Sequence, residues 1–309
     1  MVSRGIRFPG RRRWTEPTAA KTHWRVIINL VMLLLAVLFV IPFLLILIAS
    51  LTDEVEIASK GFQFFPKSLT LYNYQYLFGA SDKFLTALRL TTLVTFIGTL
   101  NTLFFTALGA YALSRRYLPY RKGLTLFVFV TMLISGGLIP WYLVVTGLGM
   151  SDSITALFVP GTIATWNLVI MRNSFAALPE SLEDSAKIDG AGDFTVFFRI
   201  IVPISLPILA TMVVYLAIGY WNEWYANMLF IIRRNDLRSL QYLLREILNT
   251  NASLNSRGAV DIRTSAERAI PSESLKMASV MVATAPILMV YPFFQRYFIH
   301  GIMIGSIKE

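Results

Sequence analysis

The chain has 309 residues, 55% of them hydrophobic and only 15% charged, with a net charge of +10 and no cysteine. A soluble domain carries about a quarter charged residues, so this composition excludes an ordinary soluble protein and points to an all-helical, polytopic membrane protein. Without cysteine there is no disulfide framework, thiolate nucleophile or cysteine metal site. The basic residues flank apolar runs, which assigns them to membrane orientation and not to nucleic acid.

Residues 1–25 hold seven Arg or Lys against one Glu. Arg11-Arg12-Arg13-Trp14 resembles a twin-arginine export signal, but the apolar run behind it continues to Leu51, too long for the core of a cleaved signal. An uncleaved first span over 26–51 is expected, with a basic cytoplasmic segment before it and Pro42 tolerated inside it. Residues 52–83 are polar and aromatic and read as an external segment. Its aromatics suit an interfacial belt, with a sugar platform as the alternative.

A second span is expected over 91–113, with Arg89 at its outer end, followed by the basic loop SRRYLPYRKG. The third span, 124–145, is interrupted by Ser135-Gly136-Gly137 and Pro140, which permit close helix approach or a local break. The fourth covers 154–171 and contains Pro160. Residues 172–202 form a polar connection, the fifth span covers 203–220, residues 231–274 form a long external segment, and the sixth span covers 277–294 before the 301–309 tail. The permease body would thus run from 26 to 300, with both termini inside.

Lys and Arg number seven in the N-terminal segment, four in the loop after the second span, three in the connection 172–202 and two after the sixth span, in 295–309. The rest fall mostly in the long external segment, which weighs little, so the short loops set this orientation. Within that segment DLRSLQYLLREILN spaces Leu237, Leu240, Leu244, Ile247 and Leu248 along one helical face. This amphipathic helix would lie on the bilayer, dock on the rest of the chain, or meet an external solute-binding protein.

The connection after the fourth span organises the chain. Glu180, Glu183, Asp184, Asp189 and Asp193 are gathered behind Pro179, and Gly190 and Gly192 follow. Proline and acids suit a helix start, and glycine a left-handed stop, so a short helix, a sharp turn and a second helix are expected.

Several chemistries are missing. None of the six expected spans has Lys, Arg, Asp or Glu in its interior, which argues against a carrier coupled to protons or sodium. No G-x-x-x-x-G-K-[ST] loop is present, so the chain has no such phosphate cradle of its own. His23 and His300 both flank spans, which argues against a buried hydrolytic pair and hence an intramembrane enzyme. Any energy source must come from a partner.

The connection resembles the signature loop of ABC-importer membrane subunits, E-A-A, three residues, G, nine residues, I-x-L-P. Asp184-Ser185-Ala186 stands for E-A-A, Gly190 for the glycine, and Ile200-Ile201-Val202-Pro203 for the closing motif. The departures are Asp for Glu, Ser for Ala and Val for Leu. Met171-Arg172-Asn173, WNEW after the fifth span, Ser272 to Ala278, Tyr291 to Gln295 and the tail pattern Q-R-Y-F-x-x-G-x-x-x-G-x-x-K are similar to the MalG-like permeases of carbohydrate importers. They point further to the LplC/YtcP-like branch, associated with complex saccharides.

This resemblance implies a type I importer permease in the bacterial plasma membrane, without catalysis and without a cofactor of its own. It further implies a second, related six-span permease, two ABC ATPase subunits holding ATP and Mg, and an external binding protein that delivers a sugar. The signature loop would be the coupling helix, with Asp184 offering a carboxylate to the ATPase and Gly190 making the turn. Ser185, Ala186, Ile188 and Ala191 would pack against the ATPase, with Glu183 and Asp189 coupling, capping or solvating. The aromatic cluster Tyr220, Trp221, Asn222, Trp224 and Tyr225 would line the sugar path or form an interfacial belt. A carrier working without ATPase subunits is the alternative, and ATP-independent uptake by the chain alone would distinguish it.

Overall fold

The computed structural model describes residues 20–80, 82–256 and 273–304, and within these every regular element is helical. The first 19 residues, most of the basic N-terminal segment, lie outside the described residues, as do 257–272 of the long external segment and 305–309 of the tail.

Helix α1, Ala20–Ser50, is apolar all round, and its side chains are exposed from Trp24 through Phe39, the pattern of a helix whose solvent is lipid. It packs against the last helix. Its end is tied off by the Ser50 hydroxyl, 2.7 Å from both the Leu47 carbonyl and the Tyr74 hydroxyl.

The segment that follows is folded and not extended. Asp53 caps α2, Glu54–Lys60, by accepting from the Val55 N–H at 2.9 Å, and Gly61 stops it at φ +72°. Glu56 turns inward and accepts from the Ser68 hydroxyl at 2.7 Å and the Lys67 and Ser68 N–H groups, pinning the loop back onto the helix. Those bonds, led by the Ser68 hydroxyl, lower its pKa from 4.5 to about 2. The stability this gives the loop is present above 4.5 and disappears as pH falls through about 2. Acid proteolysis of residues 61–70 should therefore accelerate as pH drops through that window, and Glu56→Gln should abolish the dependence on pH. Glu54 reaches further, accepting from the Glu273 N–H (3.1 Å), the Ser274 N–H (2.9 Å) and the Ser274 hydroxyl (2.8 Å), so it caps the last helix from 219 residues away.

After the single turn α3, Tyr72–Gln75, comes the axis of the bundle, α4, Asp82–Ser114. It starts nine residues before the expected second span, because Phe84, Ala87 and Leu90 bury one face of an extra two turns. Gly98, Thr102, Thr106, Ala110 and Ser114 recur every fourth residue and are buried, a small-residue stripe that lets α7 and α11 approach closely. Along it Thr102 meets the Tyr220 hydroxyl at 2.7 Å, and Asn101 donates to Thr162 at 2.7 Å.

The expected third, fourth and fifth spans are each broken. Helices α5, Arg121–Leu133, and α6, Leu138–Gly147, meet at 113° across Gly137, whose φ is +84°. A short 3-10 stretch, Ile154–Gly161, meets α7, Thr165–Ala176, at 47°. The connection then holds α8, Glu180–Ile188, and α9, Asp193–Val196, which runs on through a wide turn into α10, Val202–Ile204. Helix α11, Leu206–Trp221, leaves that run at 83°, so Pro203 lies before the corner and the long straight part of the expected fifth span begins at Leu206. Among the described residues three helices are long and apolar enough to cross a membrane, or six if each bent pair is one crossing.

Helix α12, Tyr225–Phe230, precedes the amphipathic segment, which forms a 3-10 turn, Asn235–Leu237, and then α13, Leu240–Ser256. Leu240 and Leu244 dock into a cluster with Phe84, Trp221 and Ala278, which selects docking on the chain itself over lying on a bilayer. Leu248 remains exposed. Helix α14, Glu273–Ile304, extends beyond the expected sixth span at both ends and carries Pro286 and Pro292 inside it.

Candidate functional site

At the end of the bundle where α4 finishes, α8 is delimited by its own sequence. Pro179 stands at the N-cap with Glu180 and Glu183 in the first turn, and Lys187 falls in the last. Gly190 adopts φ +84°, and the Gly190 and Ala191 N–H groups return to the Lys187 and Ala186 carbonyls at 3.0 and 2.9 Å. This is the paired closure of a glycine-terminated helix. Gly192 is extended at φ −76° and serves instead as the N-cap of α9, a correction to its expected left-handed role.

The residues of α8 divide between two faces. Glu183 is 5% exposed and points into the bundle. Its carboxylate pairs with the Arg115 guanidinium, takes Lys187 at 3.1 Å, and lies 3.0 Å from the Tyr117 hydroxyl and 3.4 Å from that of Tyr111. Arg115 also donates to the Phe175 carbonyl at the end of α7 (3.1 Å) and to Ser114 (2.9 Å), and it lies over the Tyr111 ring. Asp193, at the start of α9, joins through the Tyr117 hydroxyl (2.8 Å) and Lys187 (3.3 Å).

Burial pushes the Glu183 carboxyl upward, but hydrogen bonds from Lys187 and Arg115 outweigh it and hold it below the ordinary carboxylate range. Burial and the adjoining carboxylates raise the Tyr117 phenol, keeping its proton on oxygen. Of the coupling, capping or solvating roles expected for Glu183, burial excludes solvating: its carboxylate is held inside the chain. Ala186 and Ala191 likewise pack inward, against the cluster around Tyr111 and Phe197.

The other face is open. Ile188 is 86% and Phe194 72% exposed, beside exposed Asp184, Ser185 and Asp189. Asp184 has no hydrogen-bond or ion-pair partner among the described residues. A cleft of about 150 Å³ opens between α8 and the ends of α4 and α7, lined by Arg115, Arg116, Tyr117, Leu178, Glu180 and Asp184. Among the described residues nothing covers these large apolar side chains or the unpaired carboxylate of the same segment.

The aromatic cluster at the other end of α11 is split by its packing. Trp221 is buried and donates to the Ala283 carbonyl at 2.9 Å, which places it in the core between α11 and α14. The Tyr220 ring fills the space over Gly98, where an added Cβ would sit 2.8 Å from the ring. Gly98→Ala should displace that ring, break the bond to Thr102 and cost about 1–3 kcal/mol, visible as a lowered Tm in detergent. Asn222, Trp224 and Tyr225 remain accessible; Asn222 accepts from Gln241, and the Arg245 guanidinium lies 3.6 Å from the centre of the Trp224 ring. The adjoining cavity, lined by Thr91, Tyr220, Glu223 and Asn227, holds about 10 Å³, room for about one water and not for a sugar.

No protein-family model matches the chain. The polygalacturonan/rhamnogalacturonan transport system permease protein YtcP of Bacillus subtilis (strain 168) is 40% identical, over 90% of this chain and 95% of the relative. Protein LplC of the same strain is also 40% identical, over 87% and 89%. The chain belongs to the carbohydrate-type ABC importer permeases, in the LplC/YtcP branch. The permease fold extends to a bacterial ABC transporter involved in the import of the acidic polysaccharide alginate, with a TM-score of 0.79 at 24% identity, covering 92% of this chain and 99% of that one. As in its relatives, the role of this permease is transport, within a multi-pass membrane body.

The permease's internal tie, Arg115 to Glu183, spans 68 residues and has no local signal in the sequence. Arg121 and Arg172, counted in the sequence as orientation charges, also donate to the Leu113 carbonyl at the end of α4. The small-residue stripe of α4 was readable as an every-fourth-residue pattern.

Proposed function

We propose that this permease forms half of the translocation path of an ATP-driven importer that carries an oligosaccharide across a bacterial plasma membrane. The observation that supports it best is the exposed surface of α8 and α9, which carries Ile188, Phe194 and the unpaired Asp184. A cleft on an ABC ATPase subunit would cover that face, with an arginine meeting Asp184 and Ser185 and Asp189 at its rim. ATP and Mg would be held by two such subunits, not by this chain. Lipid and a second, related six-span permease would cover α1, and an extracytoplasmic binding protein would deliver the sugar at the end carrying Asn222, Trp224 and Tyr225. Both termini and α8 then lie in the cytoplasm.

Placing this permease, its neighbouring permease, ATPase and binding proteins in liposomes tests the reading. Uptake should require ATP and every subunit. Uptake by this chain alone, without ATP, would instead establish a secondary carrier and end the proposal.

A further inference from the structure

We infer that Arg115 and Glu183 are positioning residues that weld the coupling helix to the spans, so that α8, the end of α4 and the end of α7 move as one body. This rests on α8 being the ATPase-docking element.

Helix α8 hangs between two short connections, 177–179 and 189–192, which by themselves would let it swivel. A lever that swivels at its mounting transmits nothing, so something must fix its angle to the spans. Glu183 is the side chain of α8 that reaches into the bundle with charge, and it is met there by the guanidinium of Arg115 and the hydroxyls of Tyr111 and Tyr117, all from the end of α4 or just beyond it. Arg115 holds the Phe175 carbonyl in the same fork, which adds α7. Lys187 and Asp193 close the network from the far side, with the Lys187 ammonium 3.7 Å from the Tyr117 ring centre.

The pairing is buried on both sides, 7% exposed at each side chain, so solvent does not loosen it. The adjacent residue, Asp184, about 100° further round the helix, is exposed, so a single step along α8 separates the acid held by the bundle from the acid left open.

The chain contains no cysteine, so Ser181→Cys on α8 and Leu100→Cys on α4, both at exposed positions, give a spin-label pair without background. The assembled importer is measured without nucleotide and then trapped with ATP, Mg and vanadate. In the otherwise unaltered chain the distance should be the same in both states. With Glu183→Gln the ATPase subunits should still co-purify, but trapping should shift or broaden the distance by about 2 Å or more. Arg115→Lys, which keeps the charge but cannot also hold Phe175, should do the same and stands in should Glu183→Gln fail to accumulate.

A distance that changes on trapping in the unaltered chain, or one that stays fixed in the variants, overturns the inference. A pair that only stabilises the fold would give no difference between the two nucleotide states. Failure of the docking reading is separate, since the unaltered chain would then retain no ATPase subunit.

Discussion

Gly190→Val is expected to release the ATPase subunits from the complex while leaving the chain in the membrane. The position holds φ +84°, and an added Cβ would meet nothing within 4 Å, so bulk is not the obstacle. The obstacle is the backbone: a left-handed residue with a side chain costs about 1–2 kcal/mol, and a β-branched one more. Valine would leave that conformation, the returns from Gly190 to Lys187 and from Ala191 to Ala186 would open, and α9 with its exposed Phe194 would change its angle to α8. Gly190→Asn should retain the subunits, because asparagine tolerates the same conformation. Asp184→Lys should also abolish co-purification, and since Asp184 has no internal partner among the described residues, the variant should match the parent in membrane level and Tm. Normal co-purification of Gly190→Val and Asp184→Lys would remove α8 from the docking role.

Arg115→Met should destabilise the α8 end of the bundle more than any exposed substitution there. It leaves the buried Glu183 carboxylate without its main cation and the Phe175 carbonyl without its donor. Removing one partner of a buried pair costs about 3–5 kcal/mol. Lys187, at 3.1 Å, remains beside Glu183, so the lower end of that range applies. The double variant Arg115→Met with Glu183→Leu should recover much of the loss, because no charge is then stranded. Protease cleavage near 180–192 and Tm in detergent would report both. Equal damage in the single and double variants would mean that stranded charge is not the cause. By contrast Arg116 and Glu180 make an exposed pair at 2.7 Å, and breaking it should change Tm little.

The helix around Glu180, its glycine stop and the helical class were legible because each rests on local chemistry: proline and acids at a start, a left-handed glycine at an end, apolar runs of membrane length. The breaks were only partly legible. Ser135-Gly136-Gly137 marked a site where the chain is free to turn, but the 113° angle is set by what α5 and α6 pack against. The amphipathic face of 237–248 was visible, and its docking on Phe84 and Trp221 was not, since an apolar stripe does not name its partner.

The same holds at the two candidate sites. Sequence spacing brought Glu183 and Asp184 forward together as acids of one loop, and it grouped Trp221 with Trp224 as aromatics of one cluster. Neighbours on a helix point about 100° apart, so Glu183 turns to Arg115 and Asp184 to open space, while the break between α11 and α12 sends Trp221 to Ala283 and Trp224 to Arg245. By itself the sequence determined the class of chain, its helices and the short acidic element among them, because those follow from composition and nearest-neighbour geometry. Only the tertiary structure decided which acid is held and which is offered, because that depends on an arginine 68 positions away being folded against it.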